Sequence, residues 1–443
     1  MISTLVAASA LLAALQTAPV SAPPADDGTL AALVEEALAR NPDLRAAEDA
    51  LRAARERPAQ ASALADPALG VTYTNDGWSP TLGSMPDTTL AVMVSQDLPY
   101  PGKRRLRGEI SALAADEVAQ QVERMKLGVA ASVRRAYYGL LLARAVADLT
   151  REQADVWEQI EGVARARYSV GQGNQQDVLR TQVELTRVGQ VLVEQASEEA
   201  IRLAEINRLL DRPADTAVPS PGALEEIPAA AGLVVELERL RAASPERAAA
   251  RIALDRARLA ADLARRDYKP DFAVSGGYMN RGGLDPMWQA GVSVTLPFNR
   301  KRRSGAVAEA EALLAAAQSR AAAVDLQLRL RTQERLAQLE AAHRITALYH
   351  EGIVPQDRMS VEAAIASYQA GRVPFITVLE ALTTLYGDRV ALVGLLAGQS
   401  RIRVGLDEAS LENTSDLPAA AAAMAPSAPA ATNTGGAMGP MSR

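Results

Sequence analysis

The side chains that usually carry out chemistry are few in this chain, and their spacing does not form a catalytic site. There is no cysteine, which excludes thiol catalysis and cysteine-ligated zinc, and there are only two histidines, His343 and His350. His350-Glu351 begins like a zinc-protease motif, but Val354 stands where the second histidine is required. The two imidazoles are expected to pack on or between helices rather than to bind a metal. We expect no enzymatic activity, no cofactor and no resident metal.

Two basic clusters are the most unusual charged features. Each follows a strand-like segment and stands at the start of a long helical one, where the helix dipole disfavours positive charge. The clusters are Lys103, Arg104 and Arg105 in the first half, and Lys301, Arg302 and Arg303 in the second. Two sources of compensation remain open. One is a phospholipid head group at a membrane surface, and the other is a nearby carboxylate: Glu109, Asp116, Glu309 or Glu311.

Composition favours long packed helices over a compact globular core. Hydrophobic residues make up 48% of the chain but aromatic residues only 4%, and alanine and leucine can fill helix-on-helix interfaces without large rings. The net charge is −6, so no basic surface indicates a nucleic-acid partner. At the N-terminus, the apolar run from Leu5 to Leu15 is too short to cross a bilayer and suits a secretory signal peptide over residues 1–22.

An internal duplication sets the organisation of the chain. Four markers recur in the same order at an offset near 200 residues, so chance similarity is an unsatisfactory explanation. The paired markers are Asn41-Pro42 with Ser244-Pro245, Asp66–Tyr73 with Pro270–Tyr278, Leu98-Pro99 with Leu296-Pro297, and Tyr168-x-x-Gly171 with Tyr368-x-x-Gly371.

The strand-like segments alternate with the period of a β-strand. In the last of them, Trp288, Ala290, Val292, Val294 and Leu296 point one way, and Gln289, Gly291, Ser293 and Thr295 point the other. In the first, Leu69, Val71 and Tyr73 oppose Ala68, Gly70 and Thr72. One apolar face and one small polar face suit a membrane β-barrel. An amphipathic hairpin packed on a soluble core has the same pattern and remains open.

The helical segments favour the membrane interpretation. No proline occurs between Pro101 and Pro213, and the arm from Gly102 to Tyr168 would be about 100 Å long if continuous. Such lengths are typical of coiled coils rather than globular domains. Gly171 and Gly371 are predicted to allow tight helix reversals, because glycine accepts a positive φ. Each arm is therefore expected to go out, turn and return.

Four strands are too few for a closed membrane barrel, which needs about eight. If the strands span a membrane, the chain must oligomerise, and either two or three copies would satisfy this requirement. The predicted fold is a membrane β-barrel portion plus long α-helical hairpins, internally duplicated.

The predicted segments follow from these patterns and cover the whole chain. They are a signal peptide (1–22), an N-terminal segment with short helices (23–65), a first β-hairpin (66–100), a first long helical hairpin (101–212) with its tip near 168–177, a linker with short helices (213–269), a second β-hairpin (270–298), a second helical hairpin (299–411) with its tip near 368–377, and a disordered tail (412–443).

From about Leu30 to Leu411 the chain resembles the TolC-type outer-membrane efflux channel family. The most specific features are the paired tips, Tyr168-Ser-Val-Gly171 and Tyr368-Gln-Ala-Gly371, each followed by a Val-Leu pair. The segment Ser95–Lys103 resembles the branch that serves heavy-metal exporters. The resemblance implies a homotrimer with a 12-stranded barrel in outer-membrane lipid and a helical tube in the periplasm. Its implied partners are a periplasmic adaptor and an inner-membrane pump of the resistance-nodulation-division type.

The resemblance also implies roles for residues at the tips. Residues implied to dock the adaptor are Tyr168, Gly171, Gln172, Tyr368, Gly371 and Arg372. The alternative is that the two glycines are simply turn formers with no partner. Residues implied to line a periplasmic aperture are Glu380, Thr377 and Asp177, although Glu380 could equally be a solvated helical charge. The expected function is a passive exit conduit for heavy-metal cations or drugs; the alternative is a coiled-coil scaffold without a pore.

Overall fold

The computed structural model describes residues 28–81, 87–219, 223–409 and 411. The predicted signal peptide and the predicted tail lie outside these ranges. Within them, none of the helices has both the length and the apolar character needed to cross a membrane. The elements in chain order are α1 Gly28–Arg40, α2 Pro42–Arg55, α3 Arg57–Ser62, β1 Ala68–Thr74, β2 Thr89–Leu98, α4 Lys103–Ser169, α5 Gln175–Leu209, α6 Leu233–Ala243, α7 Pro245–Arg266, β3 Asp271–Arg281, β4 Leu284–Thr295, α8 Arg300–Leu348, a π-helical turn Tyr349–Ile353, α9 Val354–Gln369 and α10 Phe375–Asp407.

Helices α2 and α7, which occupy equivalent places in the two repeats, begin with the same type of N-terminal cap. The side chain of Asn41 accepts a hydrogen bond from the backbone N–H of Leu44 at the start of α2, and Ser244 does the same for Arg247 at the start of α7. A proline follows each capping residue, where its missing N–H leaves no intrahelical bond unmade. The recurring Asn-Pro and Ser-Pro pairs therefore mark equivalent helix starts.

Helix α4 has 67 residues and, at 1.5 Å per residue, is about 100 Å long. Its counterpart in the second repeat consists of α8, the π-helical turn and α9, which run on without a break. Gly352 and Pro355, which could interrupt a helix, therefore coincide with a local change of helical pitch and not with a break. Proline has no backbone N–H to donate, and it is tolerated in the first turn of a helix, where Pro355 lies in α9. The π turn just before it has backbone hydrogen bonds that span five residues.

The four strands form one antiparallel sheet in the order β1-β2-β3-β4, and their register confirms the predicted faces. Directly paired residues point to the same side of a sheet. One apolar row crosses all four strands through Val71, Val92, Tyr278 and Trp288. A row on the other face, three residues along each strand, consists of Ala68, Ser95, Ser275 and Gly291. Trp288 is 81% exposed, so no described residue covers this part of the apolar face.

Buried side chains collect in three places along the helices. One core lies where α1 packs on α4 and α5, and includes Leu30, Leu140 and Ile206. Another lies where α6, α8 and α10 meet. The third joins the far ends of both helical hairpins and contains Trp157 and Phe375, whose ring centroids are 6.5 Å apart. This third core holds the two tips against each other.

Candidate functional site

The helix reversals predicted at Gly171 and Gly371 are present in both tips. The two glycines have φ angles of 74° and 71°, a conformation that residues with a Cβ adopt only with strain. In the first tip, the backbone N–H of Gln172 donates to the carbonyl of Arg167 at 2.9 Å, which closes the end of α4. In the second, Arg372 donates to Ser367 at the same distance and closes α9. This pattern is a Schellman-type helix end.

The two tyrosines at equivalent positions of the tips have different environments. Tyr168 is 49% exposed, whereas Tyr368 is 4% exposed and belongs to the core between the hairpins. The hydroxyl of Tyr368 donates to Oδ2 of Asp177, on α5, at 3.1 Å. Its ring lies edge-on to Phe375, with 5.6 Å between the centroids. The prediction that Tyr368 contacts an adaptor is therefore wrong: the side chain fastens one tip to the other and is not available to a partner.

The environment of Tyr368 also affects its ionisation. Burial raises the pKa of the phenol, and the Asp177 carboxylate raises it further by charge and by accepting the hydrogen bond. The nearby Arg167 guanidinium opposes this effect, and the pKa reaches about 12. The phenol therefore stays protonated and able to donate at any physiological pH.

Arg167 forms a second connection between the tips, which no motif in the sequence indicated. Its guanidinium lies over the ring of Tyr368, 4.7 Å from the centroid, and Nη1 donates to the backbone carbonyl of the same residue. Nη2 donates to the carbonyl of Gln172 at 3.2 Å. The equivalent position in the second repeat is Ser367. This Arg-to-Ser difference between otherwise matching tips is the sequence feature that could have indicated a special role for Arg167.

The residues implied to line an aperture lie beside these connections. Thr377 is half-buried in the first turn of α10, and Glu380 is exposed one turn further on. Within the described ranges Glu380 has no ion-pair partner; Ile376 and Thr384 occupy the positions four residues away. Asp177 keeps one carboxylate oxygen on the Tyr368 hydroxyl. The structure of one chain brings Asp177 to the second tip and leaves the charge of Glu380 unneutralised.

The first basic cluster is more buried than expected. The Lys103 side chain is 3% exposed, and its ammonium lies 3.0 Å from Oδ1 of Asp271 and 3.4 Å from Asp267. It also donates to the carbonyl of Lys269 at 3.0 Å. For Lys103 the predicted lipid contact is therefore wrong, because the charge is enclosed by the junction between α7, β3 and α4. The alternative of a carboxylate partner holds, although the partners are not the acids named from sequence.

Of the other basic residues in the two clusters, three make contacts within the chain and two are exposed. Arg104 donates to the carbonyl of Ser62 and Arg303 to that of Asp267, both at 2.8 Å, while Arg105 pairs with Glu109 at 2.7 Å. Lys301 and Arg302 are exposed on the first turn of α8. For these two residues, lipid contact stays a prediction.

Two carboxylates on neighbouring helices have opposite electrostatic environments. Glu152 accepts two hydrogen bonds from the guanidinium of Arg389, at 2.7 and 2.9 Å, and the arginine lowers the pKa of that carboxyl. Burial, followed by the hydrogen bond and charge of Asp357, raises the pKa of Asp388. In the part of the chain that the structure describes, no three metal-ligating side chains converge on one point.

The described residues thus form an elongated chain, in which an open four-stranded sheet with an exposed apolar face is continued by helices of up to about 100 Å. A model of the family "Outer membrane efflux protein" matches residues 33–211 and 237–410. The chain belongs to this outer-membrane efflux protein family, which confirms the recognition made from the tip motifs. It is a protein of the outer membrane that extends into the periplasm, and its family consists of channels.

Solved structures share the fold over nearly the whole chain. The outer membrane protein VceC from Vibrio cholerae is 20% identical, with a TM-score of 0.75 over 88% of this chain and 98% of that one. The MtrE outer membrane channel of Neisseria gonorrhoeae is 18% identical, with a TM-score of 0.69 over 86% of this chain and 88% of that one. CusC is 17% identical, with a TM-score of 0.73 over 90% and 96%. No curated protein matches the chain.

Proposed function

We propose that the chain is the outer-membrane subunit of a tripartite efflux system and acts as a passive exit conduit. The apolar face that crosses all four strands is the observation that carries this proposal. Leu69, Val71 and Trp288 are 69%, 64% and 81% exposed, and such a face is suited to lipid. The opposite face, with small and polar side chains, suits a water-filled interior.

The open sheet supports a homotrimer. β1 and β4 each have one edge without a partner strand in the described part of the chain, and hydrocarbon cannot satisfy unpaired backbone groups. Pairing β4 of one copy with β1 of the next closes a ring, and three copies of four strands give the 12-stranded barrel that the family resemblance implies. Exposed apolar residues on the long helices, such as Val193 at 72% and Leu326 at 69%, provide surfaces for lateral contact between copies.

The tips are the proposed contact with a periplasmic adaptor and, through it, with a resistance-nodulation-division pump. Tyr168, Gln172 and Arg372 are exposed around the two reversals and carry the polar and aromatic groups that docking requires. Gly171 and Gly371 shape the turns. Tyr368 has no docking role here because it is buried.

The periplasmic end is also the proposed gate. Three copies of Glu380 around a narrow opening would attract cations and repel one another, since charges interact strongly in a constricted, poorly solvated space. Thr377 and Asp177 would complete this ring. The hydrogen bond of Tyr368 to Asp177 would favour the closed arrangement of the tips.

The substrates we propose are heavy-metal cations first and drugs second. This order depends only on the resemblance of Ser95–Lys103 to the heavy-metal branch, since a passive conduit receives what its pump delivers. A passive conduit can carry metal cations without a metal-binding site among its described residues.

Purified outer membranes provide the test. We expect detergent-solubilised protein to have the mass of three chains, and the reconstituted protein to give discrete single-channel currents in planar bilayers. A monodisperse monomer, or oligomers that conduct no current, would contradict the conduit and leave the pore-free scaffold as the better account.

A further inference from the structure

A cleft of about 750 Å³ opens where the end of α7 lies beside the start of α4. Its walls carry four basic side chains, Arg105, Arg265, Arg266 and Lys269, and two carboxylates, Glu109 and Asp262. The cleft is separate from the tips, and three of its four cations belong to neither of the basic clusters identified from sequence.

Two of the four cations are already neutralised. Arg105 pairs with Glu109 at 2.7 Å, and Arg265 pairs with Asp262 at 3.2 Å and with Glu311 at 2.9 Å. These pairs use both carboxylates of the cleft. Arg266 and Lys269 are left without a carboxylate partner among the described ion pairs.

Arg266 and Lys269 have hydrogen-bonding capacity to spare. Among the described contacts, Arg266 uses a single Nη1 donor, on the backbone carbonyl of Pro101 at 3.3 Å. A guanidinium carries five N–H groups, so most of them face the cleft or solvent unpaired. The ammonium of Lys269 is exposed and has no partner within the described part of the chain. Two adjacent cations with free donors favour a bound anion.

The local backbone leaves room for this arrangement. Gly102 has a φ of 91°, and a Cβ at that position would collide with the guanidinium of Arg266. The absence of a side chain at Gly102 therefore lets Arg266 lie across the start of α4. Leu106 and Leu259 supply apolar lining beside the charged groups.

The cleft also lies at the depth of a lipid head group. Tyr100 follows the end of β2 by two residues and Lys269 precedes β3 by two residues, which corresponds to about 7 Å beyond the ends of the strands. The head-group layer on each side of a bilayer is about 5–8 Å thick. Because the helices extend into the periplasm, this end of the strands faces the periplasmic leaflet.

We propose that the cleft binds the phosphate group of a phospholipid from the periplasmic leaflet, with Arg266 and Lys269 holding the phosphate oxygens. Guanidinium and ammonium groups bind phosphate through charge-assisted hydrogen bonds, and a mixed polar and apolar cleft fits a head group joined to its acyl chains. This site depends on the outer-membrane location of the chain and not on the proposed conduit.

Native mass spectrometry of the intact protein in uncharged detergent tests the site. Phosphatidylglycerol, diacylglycerol and inorganic phosphate are the three probes. We expect retained phosphatidylglycerol and little retained diacylglycerol. In the double variant Arg266→Gln, Lys269→Gln we expect at least about a tenfold loss of apparent lipid affinity, since hydrogen bonds to charged groups are stronger than those between neutral groups. Arg258→Gln is the matched control, because Arg258 is an exposed arginine on the same helix, paired with Asp255.

Each outcome is decisive because circular dichroism and single-channel currents are recorded on the same samples. Equal lipid retention in the wild type and the double variant would overturn the site. Binding of inorganic phosphate without retention of lipid would overturn the lipid source. Loss of lipid with normal currents supports the site and leaves the conduit intact, whereas absent currents with normal lipid retention count against the conduit alone.

Discussion

The hydroxyl of Tyr368 donates to Asp177 at 3.1 Å and so joins residues 191 positions apart in the chain. Arg167 strengthens the same connection by covering the Tyr368 ring and binding its carbonyl. The two helical hairpins are thus fastened at their tips by polar contacts above a shared apolar core. Any movement that separates the tips must break these contacts.

Removal of one hydroxyl should loosen the periplasmic end. Tyr368→Phe keeps the ring packing but loses the hydrogen bond to Asp177, and a bond to a charged acceptor contributes about 1.5–3 kcal/mol. We expect a higher single-channel conductance or open probability in planar bilayers. Tyr168→Phe is the matched control, since Tyr168 occupies the same place in the first repeat and is exposed. Identical currents in the two variants would show that the bond does not restrain opening.

Bulky residues at the two reversals should abolish export. In Gly171→Leu, Gly371→Leu, each leucine must adopt the positive φ, at a cost of about 1–2 kcal/mol per position. We expect oligomers in the membrane but no export in cells, because the tips no longer fit the adaptor. Gly162→Leu controls for bulk, as it lies within α4 with open space around its Cβ position. Normal export by the double variant would refute docking through these tips.

Multivalent cations should block the channel from the periplasmic side. Close carboxylates in a narrow opening bind trivalent cations, and Glu380 has no neutralising partner among the described residues of its own chain. We expect strong block of the native channel and much weaker block after Glu380→Ala, Asp177→Ala. Exposed Glu362 on α9 offers a control, Glu362→Ala, that removes one acid elsewhere on the second hairpin. Equal block in all three proteins would place the constriction elsewhere.

The pH dependence of stability should differ between two neighbouring carboxylates. The pKa of Asp388 is raised by burial and by Asp357, so its contribution to stability is complete below the unfolded pKa and is lost as the pH rises through the folded one. Asp388→Asn should therefore stabilise the helices at neutral pH, and this gain should shrink in acid. Thermal unfolding followed by circular dichroism at several pH values is the measurement.

Glu152 should show the opposite pH dependence of stability. Its pKa is lowered by hydrogen bonds from Arg389, so its contribution is present above the unfolded pKa and is lost as the pH falls through the folded one. Glu152→Gln should destabilise the helices at neutral pH and have little effect in strong acid. If both variants change stability in the same direction at neutral pH, the assigned environments are wrong.

Much of this architecture could be predicted because it depends on local patterns. The period-2 alternation around Trp288 fixed the strand faces, and Gly171 and Gly371 marked the reversals. The offset near 200 residues related the two halves. The strand alternation and the glycine turns depend only on residues close together in the chain, and backbone geometry converts them directly into strands, faces and turns. The offset then needs only the same local patterns to recur in the second half.

The errors came from contacts between distant segments. Lys103 pairs with Asp271, 168 residues away, and Tyr368 bonds to Asp177 across the two hairpins. Sequence spacing does not show which of two equivalent tyrosines becomes buried. That outcome depends on how the hairpins pack, and Arg167, which has no counterpart in the second repeat, contributes to it. The internal duplication therefore predicted equivalent helices and strands correctly. It did not predict that equivalent side chains, such as Tyr168 and Tyr368, would differ in burial.

The unpaired edges of β1 and β4 also bear on how the protein matures. In the proposed trimer a single copy would leave two open strand edges in the bilayer, so copies would meet before or during insertion. Doubling the number of unassembled chains should then more than double the rate of insertion. At low synthesis rates, each chain waits longer in the periplasm with its apolar strands uncovered. Abundance would thus control the speed of biogenesis, and newly made chains would depend on protection from aggregation until their partners arrive.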